Sequence, residues 1–476
     1  MAELLASKLN TTTDPQVGFR PPGTLDAAHA LDRYSGPFGP RQAAHLARRS
    51  GFGATPAEVA TLAGLGVERA VDLRLHPADA DLDFPAYPAT DELYNQKTAV
   101  RAAQMWWLDR MLRTKHPLVE KMTLFWHGHF ATSIRKVPAP LMAEQIDLFR
   151  AQGLGNFRTL LLNVSQNPAM LVWLDNRFNV KAHPNENYAR ELMELFALGL
   201  GNYTEDDVRE AARAFTGWTL DKNLRFTFIP ARHDDGTKTF LGRTGNFGGE
   251  DIVNIVVSQP ISQRFIARKL LEFFVYSDPE PELIESAAAV YAYSGYDIGK
   301  TLGTILRSNV FYSSRAYRAL PKSPLEFTIG TLRLLQVATV PANSIYLLQR
   351  MGQEPLAPPS VKGWDGGPTW INTSTLLSRF NFINQIVNQA TAKTDDPMGA
   401  DKIVAAAGGM NADKILSLLT ASAVQDDVPA EIRVSLGDYM QSRTGTNPTP
   451  FGPENYAEKI RGALALTLNL PVNQLN

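Results

Sequence analysis

The sequence predicts a mostly α protein: a multi-helix single large domain with one small β-hairpin excursion. Three observations point there. Apolar residues recur at helical spacing over most of the chain after Gln42, strand-like alternation is confined to one short region, and the chain is long enough, at 476 residues, to bury a large core. Residues 1–40 are rich in Pro, Gly and Thr (TTTDPQVGFRPPGT, SGPFGPRQ) and read as an extended lead-in, 41–395 as a helical core domain, and 396–476 as a C-terminal helical subdomain packed on it.

Helical periodicity begins over 42–50 and resumes at 56–64, where Thr55-Pro-Ala-Glu58 is a capping signal. It continues over 91–114 and from Pro117, whose ring suits a first helical turn. Further helices are expected over 138–152, 157–165, 185–198, 205–216, 261–276, 280–293, 298–307 and 323–336, then over 374–392, 411–422, 428–441 and 453–468. The β signal is Arg225-Phe-Thr-Phe-Ile229 and Thr237-Lys-Thr-Phe-Leu241 on either side of His233-Asp-Asp-Gly236, which predicts a hairpin with His233 near its tip. Three segments, 156–170, 298–312 and 459–475, share one form, an apolar helix ending in a turn, at spacings too irregular for a solenoid.

Composition narrows the chemistry. Apolar residues make up 44%, charged residues 20%, and the formal net charge is -1, so neither nucleic acid nor an acidic membrane surface is indicated. No run approaches the roughly 18 apolar residues of a membrane span. The first residues lack the basic and apolar regions of a secretory leader, which makes the cytoplasm the default compartment. The absence of cysteine excludes disulfides, thiolate metal sites and cysteine nucleophiles.

Of the eight histidines, His127, His129, His183 and His233 fall within about a hundred residues of one another. In LFWHGHFATS (124–133), an unbroken helix would point His127 and His129 about 200° apart, whereas a break at Gly128 would let both face one ion. The alternative is one core histidine satisfied by a backbone carbonyl and one free histidine. On the helix over 185–198, Tyr188, Leu192, Leu195 and Phe196 form the apolar arc. Asn187, Arg190, Glu191 and Glu194 lie opposite, with His183 near their start. Two carboxylates one turn apart, with Arg190 at i,i+4 from Glu194, are either a metal-binding or acid–base pair or an ordinary solvated face.

Thr204 with Asp207 resembles a capping pair, and Thr216-Gly-Trp218 a packed helix end, with Trp218 also a candidate for ligand stacking. The glycine-rich stretch over 238–250 matches neither the phosphate-loop nor the dinucleotide spacing, so no nucleotide cofactor is indicated. The loop over 361–371, VKGWDGGPTWI, offers Lys362, Trp364 and Trp370 as a surface for a glycan or peptide.

Taken in order, LARRSGFGATPAEV (46–59), LFWHGHFATS, NENYARELMELFALG (185–199), YTEDDVREAARAFTGWT (203–219), HDDGTKTFLG (233–242), FIARKLLEFFV (265–275), SPLEFTIGTLRLL (323–335) and VKGWDGGPTWINTSTLLSRFNF (361–382) resemble the bacterial domain-of-unknown-function family numbered eighteen hundred. The resemblance spans about residues 40–470. It implies a shared architecture and this set of motif positions, but no established activity. Relatives typically have His-Asn-His-Phe where this chain has His127-Gly-His-Phe130, and a histidine where it has Phe196; many of them look exported.

The resulting expectation is a metal-dependent enzyme, by default a hydrolase. His127, His129, His183 and His233 would surround zinc, manganese or iron, Glu191 or Glu194 would serve as ligand or base, and Arg190 would support them. The rivals are a non-catalytic helical binding or assembly protein using the Gly/Trp loop, and a copper or non-haem iron oxidoreductase.

Overall fold

The structure, a computed structural model, describes residues 29–76, 84–87, 96–390, 398–441 and 449–476. Most of the expected lead-in and the first residues of the helix expected over 91–114 therefore lie outside the described residues. The chain is mostly α: the described residues form twenty α-helices and two small two-stranded antiparallel sheets in one large domain.

Local signals account for most helix starts. The Thr55 hydroxyl accepts from the Glu58 N–H at 3.3 Å while the Glu58 carboxylate accepts from the Thr55 N–H at 2.7 Å, opening Pro56–Leu75. This helix outruns its expected end, and its two halves meet at Gly66, whose φ of 72° breaks the regular path. Thr204 and Asp207 form the same reciprocal cap before Glu205–Ala214. Two of the three similar segments meet end to end: the N-caps Asn156 and Asp297 form an antiparallel bridge, and the Phe157 N–H donates to the Tyr296 carbonyl at 2.9 Å.

The expected hairpin does not form. Strand β1 (Trp218–Leu220) pairs with β2 (Phe226–Phe228), and β3 (Lys238–Phe240) pairs with β4 (Arg243–Gly245). Nearer turns win in both cases. The Asp221 carboxylate accepts from the N–H groups of Asn223 and Arg225, each at 2.8 Å, and closes the first turn. Leu241 and Gly242, at φ 46° and 76°, form the two-residue left-handed turn that suits a tight hairpin. His233 thus lies between two hairpins and not at a tip.

One continuous apolar core runs from Ala30 to Leu468 and includes Trp107, Trp126, Phe130, Phe149 and Phe157. The helix Pro117–His129 passes through it with ten buried residues, packed against Ala139–Gln152, Pro56–Leu75 and Gln96–Arg113. Tyr456–Leu468 ties Thr373–Ala390 to Ala412–Val424.

Candidate functional site

Pro117–His129 is one continuous helix, so the break expected at Gly128 is absent. A single interior glycine costs about 1 kcal/mol relative to alanine, far less than a helix buried along most of its length gains by staying regular. The last turn closes normally, with the Phe130 N–H donating to the Trp126 carbonyl at 2.7 Å. His127 and His129 consequently leave the helix on different sides.

His127 is fully buried between two indoles, its ring centroid 5.3 Å from Trp107 and 5.5 Å from Trp364, both edge-on. Among the described residues neither of its ring nitrogens has a hydrogen-bond partner, and burial pushes the ring down to about 3. Beneath it the Trp107 indole N–H donates to the Glu120 carboxylate at 3.2 Å, itself held by Arg110 at 3.1 Å and by Arg150. His129 has its Nε2 2.9 Å from the Phe196 carbonyl and its ring among Phe125, Trp126 and Phe130. Burial, helped by the Lys269 charge and opposed by that carbonyl, lowers it to about 3 as well.

His183 is exposed, tied to the fold through its backbone N–H to the Val180 carbonyl at 2.9 Å. His233 is buried, its Nδ1 2.8 Å from the Thr216 carbonyl. The Lys181 N–H donates to the Arg232 carbonyl at 2.9 Å, so these two histidine-bearing segments run side by side. The four rings nevertheless do not fit a shared ligand set. Among the described residues no group of three or more His, Asp or Glu side chains is arranged to hold a metal ion.

The helix expected over 185–198 is α only over Asn187–Glu191 and widens to a π-turn over Leu192–Ala197. Leu192 and Phe196 enter the core and Leu195 is half-buried, while Tyr188 donates its hydroxyl to Ser165 inside the protein. Asn187 is exposed; Glu191 and Glu194 are half-buried. The Glu191 carboxyl is raised above the usual range by burial and by the Glu194 charge, with Arg190 opposing. Glu194 accepts the Tyr203 hydroxyl at 2.9 Å, and burial together with that bond pushes the Tyr203 phenol up to about 12.

Arg190 does not pair with Glu194. It makes two parallel bonds to Glu205, at 2.7 and 2.8 Å, and one to Glu186 at 3.1 Å, because a bidentate carboxylate matches the guanidinium fork better than a single-point contact.

The Gly/Trp loop supplies a contact that periodicity does not reveal. Gly363 has φ 86°, and a Cβ there would stand 2.3 Å from the Gly128 carbonyl oxygen, so the loop backbone rests directly on the HGH helix. That seat carries Trp364 onto His127. Lys362 points to solvent and pairs with Asp365 at 2.9 Å, whereas Trp370 and Trp218 are buried, Trp218 against Phe215 and Phe226. One face of the helix thus meets the loop, and the other meets the π-turn through the Phe196 carbonyl.

The convergence of these distant phrases on one helix is what a single family architecture requires, and the family's model matches residues 45–475. The chain belongs to DUF1800, a family of proteins of unknown function. No curated protein and no solved structure matches this DUF1800 chain. Tyr203 escaped the sequence reading because nothing in its spacing marks it as Glu194's partner. The Gly363 contact did have a signal, a pair of glycine positions around Trp364, but not an address.

Proposed function

We propose that this DUF1800 protein is a hydrolytic enzyme whose acid–base pair is Glu191 and Glu194. The reading is carried by one observation: two half-buried carboxyl groups a helical turn apart have different partners. Glu191 is pushed toward its protonated form by burial and by its neighbour's charge, while Glu194 accepts a phenolic hydrogen bond. Glu191 then protonates the leaving group and Glu194 takes the proton of the attacking water. The π-turn that bears Glu194 favours the assignment, since such turns recur at functional sites. Zinc, manganese or iron would have to draw oxygen from these two carboxylates and the rest of its shell from water; no step above depends on it.

A second reading, glycan or peptide binding without catalysis, is favoured by the seated loop that presents half-buried Trp364 beside exposed Lys362. The deciding experiment assays wild type, Glu191→Gln and Glu194→Gln, with and without chelator, on chromogenic esters, phosphoesters, glycosides and peptides. Turnover of one class, reduced about 100-fold or more in either variant, supports the acid–base pair. No turnover of any class, or equal turnover in all three proteins, overturns it.

A further inference from the structure

A second part of the molecule gathers more cationic side chains than acidic ones. Arg48, Arg49, Lys121, Arg318 and Arg379 are all buried. Arg41 and Lys322 are half-buried beside them. The carboxylates among them are Glu326 and Asp427. Glu326 is taken by Lys121, and Asp427 by Arg41 and by Arg318 at 2.7 Å. Among the described residues Arg48, Arg49, Lys322 and Arg379 have no ion-pair partner. Arg48 donates one Nη to the Gln425 side chain and lies over the Tyr317 ring at 5.6 Å from its centroid. Among the described residues the Lys322 ammonium donates to the Asn473 side-chain Oδ1 at 3.0 Å. Uncompensated buried cations are among the costliest features a fold can carry, and anions are what relieve them.

Of these cations Arg48 and Lys322 border a cavity of about 40 Å³, which Glu326, Gln425, Asn473 and Asn476 also line. One water needs about 10–15 Å³ by that measure, so the space takes about three waters, the bulk of one tetrahedral oxyanion. Two phrases that mark the family meet there: 46–59 contributes Arg48 and Phe52, and 323–335 contributes Glu326 and Gly330.

We propose that this cavity is a binding site for a tetrahedral oxyanion, phosphate or sulfate, either free or as the terminal group of a small molecule. Arg48 and Lys322, which both line it, supply the cationic groups, as planar guanidinium and point-charge ammonium groups commonly hold phosphate. Burial and the Arg48 and Arg318 charges lower the Lys322 ammonium, with Glu326 opposing and Arg379 adding to the fall.

The test titrates the full chain with sodium phosphate, sodium sulfate and methyl phosphate, with sodium chloride at matched ionic strength, by calorimetry and thermal melting. The expected result is a saturable rise in melting temperature and a saturable binding heat with the oxyanions alone. Phosphate and methyl phosphate binding alike assigns the site to a phosphoryl terminus; phosphate and sulfate binding without methyl phosphate assigns it to the free ion. Arg48→Met and Lys322→Met should bind at least tenfold more weakly while melting, in anion-free buffer, no lower than wild type, because each removes an uncompensated charge. If either variant unfolds, the other and the wild-type titration still decide. No oxyanion effect beyond chloride, or equal affinity in the variants, overturns the proposal.

Discussion

Replacing His127 by leucine tests whether the core keeps this imidazole neutral. Its ring has an ordinary value of 6.5 and sits at about 3 in the folded protein, because burial penalises the charged form. Above 6.5 both states are neutral and the group adds no pH dependence. As pH falls below 6.5 the unfolded chain takes up a proton that the folded chain accepts only near 3. Stability is therefore lost across that window, at about 1.4 kcal/mol per pH unit. Between pH 7 and pH 5 this comes to about 2 kcal/mol for His127, and about as much again for His129, whose ring is lowered to the same value. Leucine has nearly the same volume, and neither nitrogen of His127 has a hydrogen-bond partner among the described residues, so at pH 7 the substitution should cost less than about 1.5 kcal/mol. The assay is urea unfolding at pH 7 and pH 5, followed by tryptophan fluorescence. The acid loss should shrink by about 2 kcal/mol in His127→Leu. An acid loss identical to wild type would mean that the folded ring titrates normally, and the reasoning from burial would fall.

Two further outcomes are expected. Lys121→Met strands Glu326 in a largely buried site and should destabilise the protein by about 3–5 kcal/mol, with Lys121→Met/Glu326→Gln recovering at least half; thermal melting checks this, and equal melting of single and double variants would contradict the pairing. Gly363→Ala forces a left-handed backbone on an alanine whose Cβ meets the Gly128 carbonyl, and should cost about 2 kcal/mol or more and expose Trp364 to an acrylamide quencher, whereas unchanged melting and quenching would show that the loop is not seated there.

Most of the longer helices and their starts were legible in the sequence because the causes are local, whereas Pro168–Trp173, Ser344–Arg350 and Ala400–Ala406 were not expected. Thr55 with Glu58 and Thr204 with Asp207 cap their helices through residues three apart, and the apolar arc of Tyr188, Leu192 and Phe196 is a spacing along one strand of chain. The local rules gave way where several turns competed, as in 218–245, where the Asp221 and Leu241-Gly242 turns closed hairpins before the His233 segment could. They gave way again at Gly128, where burial of the whole helix outweighed one glycine. Glu191 and Glu194 were legible as a pair on one helix face, but the contacts around the candidate sites come from tertiary structure. His127 lies under Trp364 because Gly363, far along the chain, fits against Gly128. Tyr203 meets Glu194 within the π-turn, where simple helical spacing no longer applies. Arg48 and Lys322 share one cavity because helices distant in sequence close around them. A spacing rule records which residues share a helix face; which foreign surface covers that face depends on packing over the whole core, and no short stretch of sequence contains it.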